Sequence, residues 1–464
     1  MHLLIIGGSD AGVSAALRAQ ELDANAEVTM ILADDYANFS ICGLPYFLSD
    51  ETPDWRDLAH RKDFPGLTVL HRHVAETINV ADKSVLVRHA GGEATLRYDK
   101  LVIATGASPV RPDLPGADLD GVFLLHTMDD SFAMKRVLTE QAPRRAVIVG
   151  AGYIGLEVAD ALRQRGLHVT LLSRTGTVMP TVDPALGRMV GAELERHGVR
   201  VLTGVSATAI EQAADAAEAH LIVSDTRGDR HPADLVVVAV GVTPNGVIAA
   251  QAGATLGPRG AIPVNRRMET TLPDIYAAGD CVETHHLLMS QPTYISLGTI
   301  AHKQGRIAGE NAVGGAREFV GTLGSQALKV FDLAITRTGL LDHEARANGF
   351  TPLTVTSQVS DHKAYYPGAV ALTILLTGDA VTGKLLGAQI LGHRKAEVSK
   401  RVDIVAAAIH QGADVEALND LDLSYTPPFS SPWDPVQMAA QAWMKAFRAQ
   451  AEISLASPAS AAAE

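Results

Sequence analysis

Cysteine is nearly missing from this chain: Cys42 and Cys281 are the only two in 464 residues. Two thiols cannot build a disulfide framework, so stability must come from a buried core, which a chain of this length can supply without covalent staples. Aromatic residues are scarce at 5%, within an otherwise ordinary balance of 47% hydrophobic and 20% charged residues. Basic charge is in deficit, with 39 Lys and Arg against 52 Asp and Glu and a net charge of −13. An acidic chain without a basic block is not built to bind a phosphate backbone, so a nucleic-acid partner is excluded. No apolar run approaches the ~18 residues that cross a bilayer, so no membrane partner is expected. Met1-His2 leads straight into Leu3-Leu4-Ile5-Ile6 with no charged segment and cleavage site of the signal-peptide kind. His, Asp and Glu show no metal-ligand spacing. His285-His286 follow Cys281, but that thiol is more simply a packing residue, and no metal is expected. These absences lead us to expect a soluble, cytoplasmic protein of about three domains, at ~150 residues each.

What is present begins with short apolar strands that run into glycine-rich turns. Residues 2–6 form such a strand, followed by Gly7-Gly8-Ser9-Asp10-Ala11-Gly12 and a helical stretch over 13–20, with the next strand at 28–32. The unit recurs: a strand at 146–149, then Gly150-Ala151-Gly152-Tyr153-Ile154-Gly155, a helix over 156–164 and a strand at 169–172. Continuous apolar strands joined through helices imply parallel sheets covered on both faces. A Pro-rich stretch at 109–115 reads as a crossover between the two units. From about residue 325 the texture changes to alternating strands at 327–335 and 369–376 and a helix over 396–411, an α+β domain. Residues 449–464 are Ala- and Ser-rich and read as a disordered tail.

A strand–glycine turn–helix unit binds a pyrophosphate because the glycines let backbone approach the ligand while the helix N-terminus presents N–H groups and partial positive charge. Gly150, Gly152 and Gly155 fit G-x-G-x-x-G, with Tyr153 and Ile154 opening the helix. Gly7, Gly8 and Gly12 fit the first unit with Ser9 in the middle glycine position; a tight turn without a ligand is the alternative for either unit taken alone. The strand after the second turn ends in Leu172-Ser173-Arg174, with a guanidinium where an acid would bind a ribose 2′-hydroxyl. This favours a 2′-phosphate, hence NADPH over NADH, with a solvated surface arginine as the alternative.

The stretch Thr271-Leu272-Pro273-Asp274-Ile275-Tyr276-Ala277-Ala278-Gly279-Asp280 resembles the second flavin motif of the two-dinucleotide flavoproteins, and Ala104-Thr105-Gly106 and Gly241-Val242-Thr243-Pro244-Asn245 resemble their strand-end motifs. On these motifs the chain resembles the pyridine nucleotide-disulfide oxidoreductases. The resemblance implies an α/β, glutathione-reductase-like fold of two Rossmann-like dinucleotide-binding domains plus a C-terminal α+β dimerisation domain. The expected boundaries are 1–112 with 246–324 for FAD, 113–245 for NAD(P)H, and 325–448 for dimerisation. FAD is expected on the first turn, with Asp280 on its ribityl chain and either Asp34 or Asp35 as the displaced ribose acid, and NADPH or NADH on the second.

Cys42 lies in Asn38-Phe39-Ser40-Ile41-Cys42-Gly43-Leu44-Pro45-Tyr46, just after the second strand, where the segment opens a helix. A helix N-terminus is expected to lower its pKa. There is no second cysteine four or five residues away, which excludes a redox-active pair. A single thiolate beside a flavin attacks a disulfide or persulfide, or cycles through a sulfenic acid. The segment resembles the single-cysteine branch that holds coenzyme A-disulfide reductases, persulfide reductases and NADH oxidases and peroxidases. His362-Lys363-Ala364-Tyr365-Tyr366-Pro367-Gly368 and Tyr425-Thr426-Pro427-Pro428-Phe429-Ser430-Ser431 resemble its tyrosine motifs. The resemblance implies that Tyr365, or its neighbour Tyr366, and Tyr425 reach the cysteine of the partner subunit in a homodimer. The function implied is reduction of a small-molecule disulfide or persulfide. The alternatives are an NAD(P)H oxidase that reduces O2 through flavin and a Cys42 sulfenate, and a redox-responsive flavin-binding protein. Asp10 fills the position of a peroxidase-type histidine, and the first helix reads Arg18-Ala19-Gln20-Glu21 where basic residues meet coenzyme A phosphates in that branch.

Overall fold

The strand His2–Ile6 is almost wholly shielded from solvent along Leu3, Leu4 and Ile5, and it sits at the centre of a five-stranded parallel sheet. A strand buried on both faces must carry apolar residues at every position, as this one does. In the computed structural model, which describes residues 1–214 and 219–456, the sheet runs Ile275–Ala277, Lys100–Ile103, His2–Ile6, Glu27–Ile31, Thr68–Leu70. The registers Ile5↔Met30 and Ile5↔Val102 place the chain reversal on either side of the first strand. A second parallel sheet has the order Arg200–Thr203, His168–Ser173, Arg145–Val149, Leu235–Val238, Val122–Phe123. In each sheet the first βαβ strand is flanked by partners reached in opposite directions, and the crevice this opens at the carboxyl ends of the strands is where doubly wound sheets take ligands. Three-stranded antiparallel sheets accompany both, at residues 74–97 and 207–233, the latter with residues 215–218 outside the description.

The described chain divides into two compact units: Met1–Gly176, Gly198–His286 and Gln291–Thr322 form one, and Thr177–His197, Leu287–Ser290 and Leu323–Glu464 form the other. Both parallel sheets belong to the first. The strand-end motifs interlock inside it: Thr105 Oγ1 donates to Asn245 O at 2.7 Å, Asn245 Nδ2 donates to Thr105 O at 2.9 Å, and Ser108 Oγ donates to Asn245 Oδ1 at 2.8 Å.

The second unit is built on a five-stranded antiparallel sheet in the order Gln326–Val330, Leu333–Gly339, Leu385–His393, Ala371–Asp379, Pro352–Ser360. The helices Val398–His410 and Pro435–Ala456 cover it, and Trp443, 1% exposed, donates its indole N–H to Leu353 O at 2.7 Å. The run read as one strand at 327–335 is two, broken where Phe331 takes φ 51° and the chain turns back. Residues 449–456, expected in a disordered tail, instead continue the helix Pro435–Ala456; 457–464 lie outside the described residues. The helix Pro184–Arg196 joins this unit through side-chain bonds: Arg337 donates to Thr181 O at 2.8 Å and Gln389 Oε1 accepts from Asp183 N at 2.6 Å. Glu193, His197 and Asp332 gather here closely enough to suit a metal, but Arg196 donates to Glu193 Oε1 at 2.7 Å and to Asp332 Oδ2 at 3.1 Å, which makes the group an ion-pair cluster.

Candidate active site

Gly7 and Gly150 both turn at positive φ, 120° and 113°, where a side chain would also strike the neighbouring strand: a Cβ would stand 2.1 Å from Ala104 O or 2.2 Å from Ala239 O. Gly12 and Gly155 bring the following helix onto the turn, since a Cβ on either would stand 2.0 Å from the carbonyl of Gly7 or Gly150. The middle position is different. A Cβ on Gly152 meets no protein atom within 4 Å. That glycine is not required by the protein's own packing, and the space before it is open to a close-approaching ligand. Ser9 has the same extended backbone as Gly152 (φ −96°, ψ −158° against φ −83°, ψ −169°), so serine fits the first turn without strain. Ser9 makes no side-chain cap of the helix Asp10–Leu22.

The Asp280 carboxylate follows Gly279, itself at φ 87° and anchored by its N–H to Gln304 Oε1 at 3.0 Å. Tyr294 Oη donates to the Asp280 carbonyl at 2.9 Å. Burial, then the charge of Asp10, pushes the Asp280 carboxyl up to about 6. Among the described residues no donor pairs with it, which suits a carboxylate that meets a ligand hydroxyl. Asp35 is committed to an ion pair with Arg72, whereas the Asp34 carboxylate accepts from the Tyr36 amide, at 2.9 Å. Open glycine turns and an unpaired buried carboxylate together fit a flavin dinucleotide on the first sheet and a second dinucleotide on the other. Ser173 is 2% exposed with its hydroxyl 3.1 Å from Thr175 Oγ1, and Arg174 beyond it is exposed.

Cys42 lies in a short 3₁₀ turn, Ile41–Gly43, that leads into the six-residue helix Leu44–Ser49. Lys135 secures the far end of that helix, donating to Phe47 O at 2.6 Å and to Asp50 Oδ1 at 2.5 Å. Cys42 is exposed. Its pKa was expected below the usual thiol value, but the structure sets the direction upward: burial comes first, then the negative charges of Glu157, Asp10 and Asp280. The one helical turn ahead of it is too short to outweigh them. Those three carboxylates come from the second glycine-turn helix, Tyr153–Gln164, from the first glycine turn and from the flavin motif. The charges that act on this one sulfur thus come from three separate elements of the first unit. Tyr46, on the helix that follows Cys42, is pushed up to about 12 by burial and by Glu157. Cys281 is fully buried, with Sγ 3.5 Å from Ile103 O and 3.4 Å from Ala278 O, as a packing residue should be. Glu157, Tyr294 and Gln304 were not singled out from the sequence, since no local pattern marks them, and Asp10 was noted only as filling the position of a peroxidase-type histidine.

In the second unit Tyr365 is 74% exposed, and Tyr366 and Tyr425 are also exposed. Tyr366 packs its ring edge-on against His362 at 5.7 Å, whereas Tyr365 lies close enough to Tyr425 to raise its pKa. Partial burial raises it first, and Tyr365 adds to that.

Residues 1–305 match the family described as pyridine nucleotide-disulphide oxidoreductase, and residues 325–435 match the dimerisation domain of that family. The chain belongs to this family. It is 34% identical to the NAD(P)H sulfur oxidoreductase (CoA-dependent) of Pyrococcus furiosus over 445 residues, 95% of this chain and 98% of that protein. Its fold superposes with a TM-score of 0.93 on an NAD-dependent persulfide reductase from A. fulgidus, at 34% identity over 97% of this chain and 84% of the other. It also resembles an engineered water-forming NADPH oxidase bound to NADPH, derived from the Lactobacillus brevis NADH oxidase. The TM-score is 0.90 at 27% identity, covering 98% of this chain and 100% of that one, and that protein's substitutions include aspartate to alanine and alanine to arginine. No described helix of this pyridine nucleotide-disulphide oxidoreductase is long and apolar enough to cross a membrane.

In this oxidoreductase, Asp280→Ala should weaken FAD retention by about 10- to 100-fold, the scale of one hydrogen bond to a charged group. Release of flavin fluorescence on dilution measures it. A variant that holds FAD as tightly as the parent removes Asp280 from the flavin site.

Proposed function

We propose that this FAD-dependent oxidoreductase passes electrons from NAD(P)H to a small-molecule disulfide or persulfide through Cys42, as a cytoplasmic homodimer. In this reading 1–112 with 246–324 hold FAD, 113–245 hold NAD(P)H, and 325–448 dimerise. Two free thiols and no disulfide suit a reducing compartment. The observation that carries the reading is the single exposed thiol, Cys42, in the same compact unit as both glycine turns and Asp280, while Cys281 is buried.

FAD is held through Gly7, Gly8, Ser9, Gly12, Asp34 and Asp280, with Ala104, Thr105 and Gly106 at the adjoining strand end. The nicotinamide nucleotide is held through Gly150, Gly152, Tyr153, Ile154, Gly155, Ser173, Arg174 and Gly241. Bound FAD supplies hydride acceptance from the nicotinamide and the electron pair that returns sulfur to the thiol state. Cys42 thiolate attacks one sulfur of the substrate, forming a mixed disulfide and releasing the other sulfur as a thiolate. Because burial and three carboxylates oppose that thiolate, it needs donors. Tyr365 and Tyr425 of the partner subunit supply them and protonate the departing sulfur.

The exposed Arg174 and the absent acid support NADPH as the preferred donor, and the engineered NADPH-bound relative made the same kind of exchange, acid lost and arginine gained. Ser173→Glu should move the ratio of kcat/KM towards NADH by about 10- to 100-fold, since a carboxylate repels a 2′-phosphate and accepts from a 2′-hydroxyl. An unchanged ratio in a variant that keeps its FAD would refute the NADPH assignment.

The decisive assay is anaerobic NADPH consumption with coenzyme A disulfide, inorganic polysulfide and other low-molecular-weight disulfides. Turnover with at least one of them is expected. The likeness to a water-forming oxidase favours O2 as the second reading. Oxygen consumption without any sulfur turnover would establish that reading, and the absence of both would leave a flavin-binding protein that responds to nucleotide.

A further inference from the structure

The two tyrosine-bearing segments lie outside the regular elements of the second unit, one between the strands Pro352–Ser360 and Ala371–Asp379 and the other between the helices Val415–Asn419 and Pro435–Ala456. Between them sits a buried arginine. Arg401, on the helix Val398–His410, is 4% exposed. Its Nη2 donates to Asp361 O at 2.6 Å and to Phe429 O at 3.1 Å, and its Nη1 donates to Ala396 O. Its Nε stands 3.6 Å from Asp434 Oδ2, whose carboxylate also accepts from Ser430 Oγ at 2.8 Å and from Val436 N at 3.0 Å.

One nitrogen of one side chain thus bonds the backbone of both segments: Asp361 is four residues before Tyr365, and Phe429 is four residues after Tyr425. The Asp361 carboxylate tightens the first segment by accepting from His362 N and Val370 N, each at 2.9 Å. We propose that Arg401 is a positioning residue for the sulfur chemistry, holding Tyr365 and Tyr425 in the pair that serves the partner's thiol. The proposal rests on the reading of those tyrosines as donors to sulfur.

Arginine suits the task because its planar fork carries donors in fixed directions, enough for three carbonyls, while its charge pairs with the nearby Asp434 carboxylate. Lysine keeps the charge but has neither the reach in two directions nor the fixed geometry. With Arg401→Lys the segments lose their common anchor, and displacement of a donor by about 1 Å costs on the order of 100-fold in rate.

The experiment uses the full-length, FAD-loaded protein with Arg401→Lys and Arg401→Gln, each alone and combined with Tyr425→Phe, and the faster of coenzyme A disulfide and inorganic polysulfide as acceptor. With Tyr425 present, Arg401→Lys should lower kcat for the sulfur acceptor by about 10- to 100-fold, with KM for NADPH and anaerobic flavin reduction by NADPH within about twofold of the parent. In the Tyr425→Phe background the same change should cost less than about twofold, because residues that act as a unit are not additive. Equal losses in the two backgrounds, a parallel loss of flavin reduction, or no loss at all would overturn the proposal. So would the failure of both Arg401 variants to fold with FAD, which would make the residue a requirement of the fold alone. If Tyr425→Phe itself leaves sulfur turnover untouched, the reading of the tyrosines fails, and that outcome is distinct from failure of the role given to Arg401.

Discussion

Cys42→Ser is expected to reduce turnover with a sulfur acceptor to background, a loss of roughly ten-thousandfold or more. The smaller hydroxyl fits at the middle of the 3₁₀ turn Ile41–Gly43, on an exposed residue, so the fold and the glycine turns should be undisturbed. It is neither a nucleophile at neutral pH nor able to hold a disulfide. Reduction of bound flavin by NADPH, followed anaerobically by its absorbance, should stay within a few-fold of the parent. The other thiol cannot substitute, since Cys281 is fully buried against Ile103 and Ala278. Sulfur turnover that survives in the serine variant would move the chemistry to another group. Oxygen turnover that survives while sulfur turnover is lost would separate a flavin-only oxidase side reaction from the reaction at Cys42.

Tyr425→Phe should slow sulfur turnover by roughly 10- to 1000-fold, the scale of one general acid or hydrogen-bond donor, and leave flavin reduction by NADPH little changed. The need for a donor follows from the charges around Cys42. Burial and Glu157, Asp10 and Asp280 all disfavour its thiolate. Tyr365 and Tyr425 are neighbours within one chain, on two separate loops of the second unit. A mixed dimer of Cys42→Ser and Tyr425→Phe chains tests which subunit each tyrosine serves. If the tyrosine acts across the two-fold, the dimer pairs one intact site with one doubly damaged site and recovers about half of the parent activity. If it serves its own chain, each site carries one lesion and the mixture stays inactive, which would overturn the cross-subunit assignment.

The glycine turns, the strands on either side of them and the nature of each domain could be read directly. Each depends on residues within a few positions of one another. The positive φ at Gly7 and Gly150 and the close helix contact at Gly12 and Gly155 are set by local stereochemistry, which a spacing of glycines records. The continuous apolar runs Leu3-Leu4-Ile5-Ile6 and Ala146-Val147-Ile148-Val149 likewise announce strands buried on both faces. The end of the chain was less legible. Ala-rich composition suits a solvated tail and a helix equally, and only the packing of Val436, Ala439, Ala440 and Trp443 into the second unit's core favours the helix that carries through to Ala456.

The sign of the shift at Cys42 was read wrongly from the sequence for the same kind of reason. A cysteine before a helix promises a stabilised thiolate, but the field at a sulfur is a sum over every charge in its neighbourhood, and Asp10, Glu157 and Asp280 are remote from it in sequence. By itself the sequence determined the glycine turns and the family, because each is carried by short-range pattern. The tertiary structure alone decided that the charges of three carboxylates from separate elements act on one thiol, that Tyr365 neighbours Tyr425, and that Arg401 joins Asp361 to Phe429. Such convergence is a property of long-range packing, where residues tens to hundreds of positions apart meet because the core folds them together, and no local spacing encodes it.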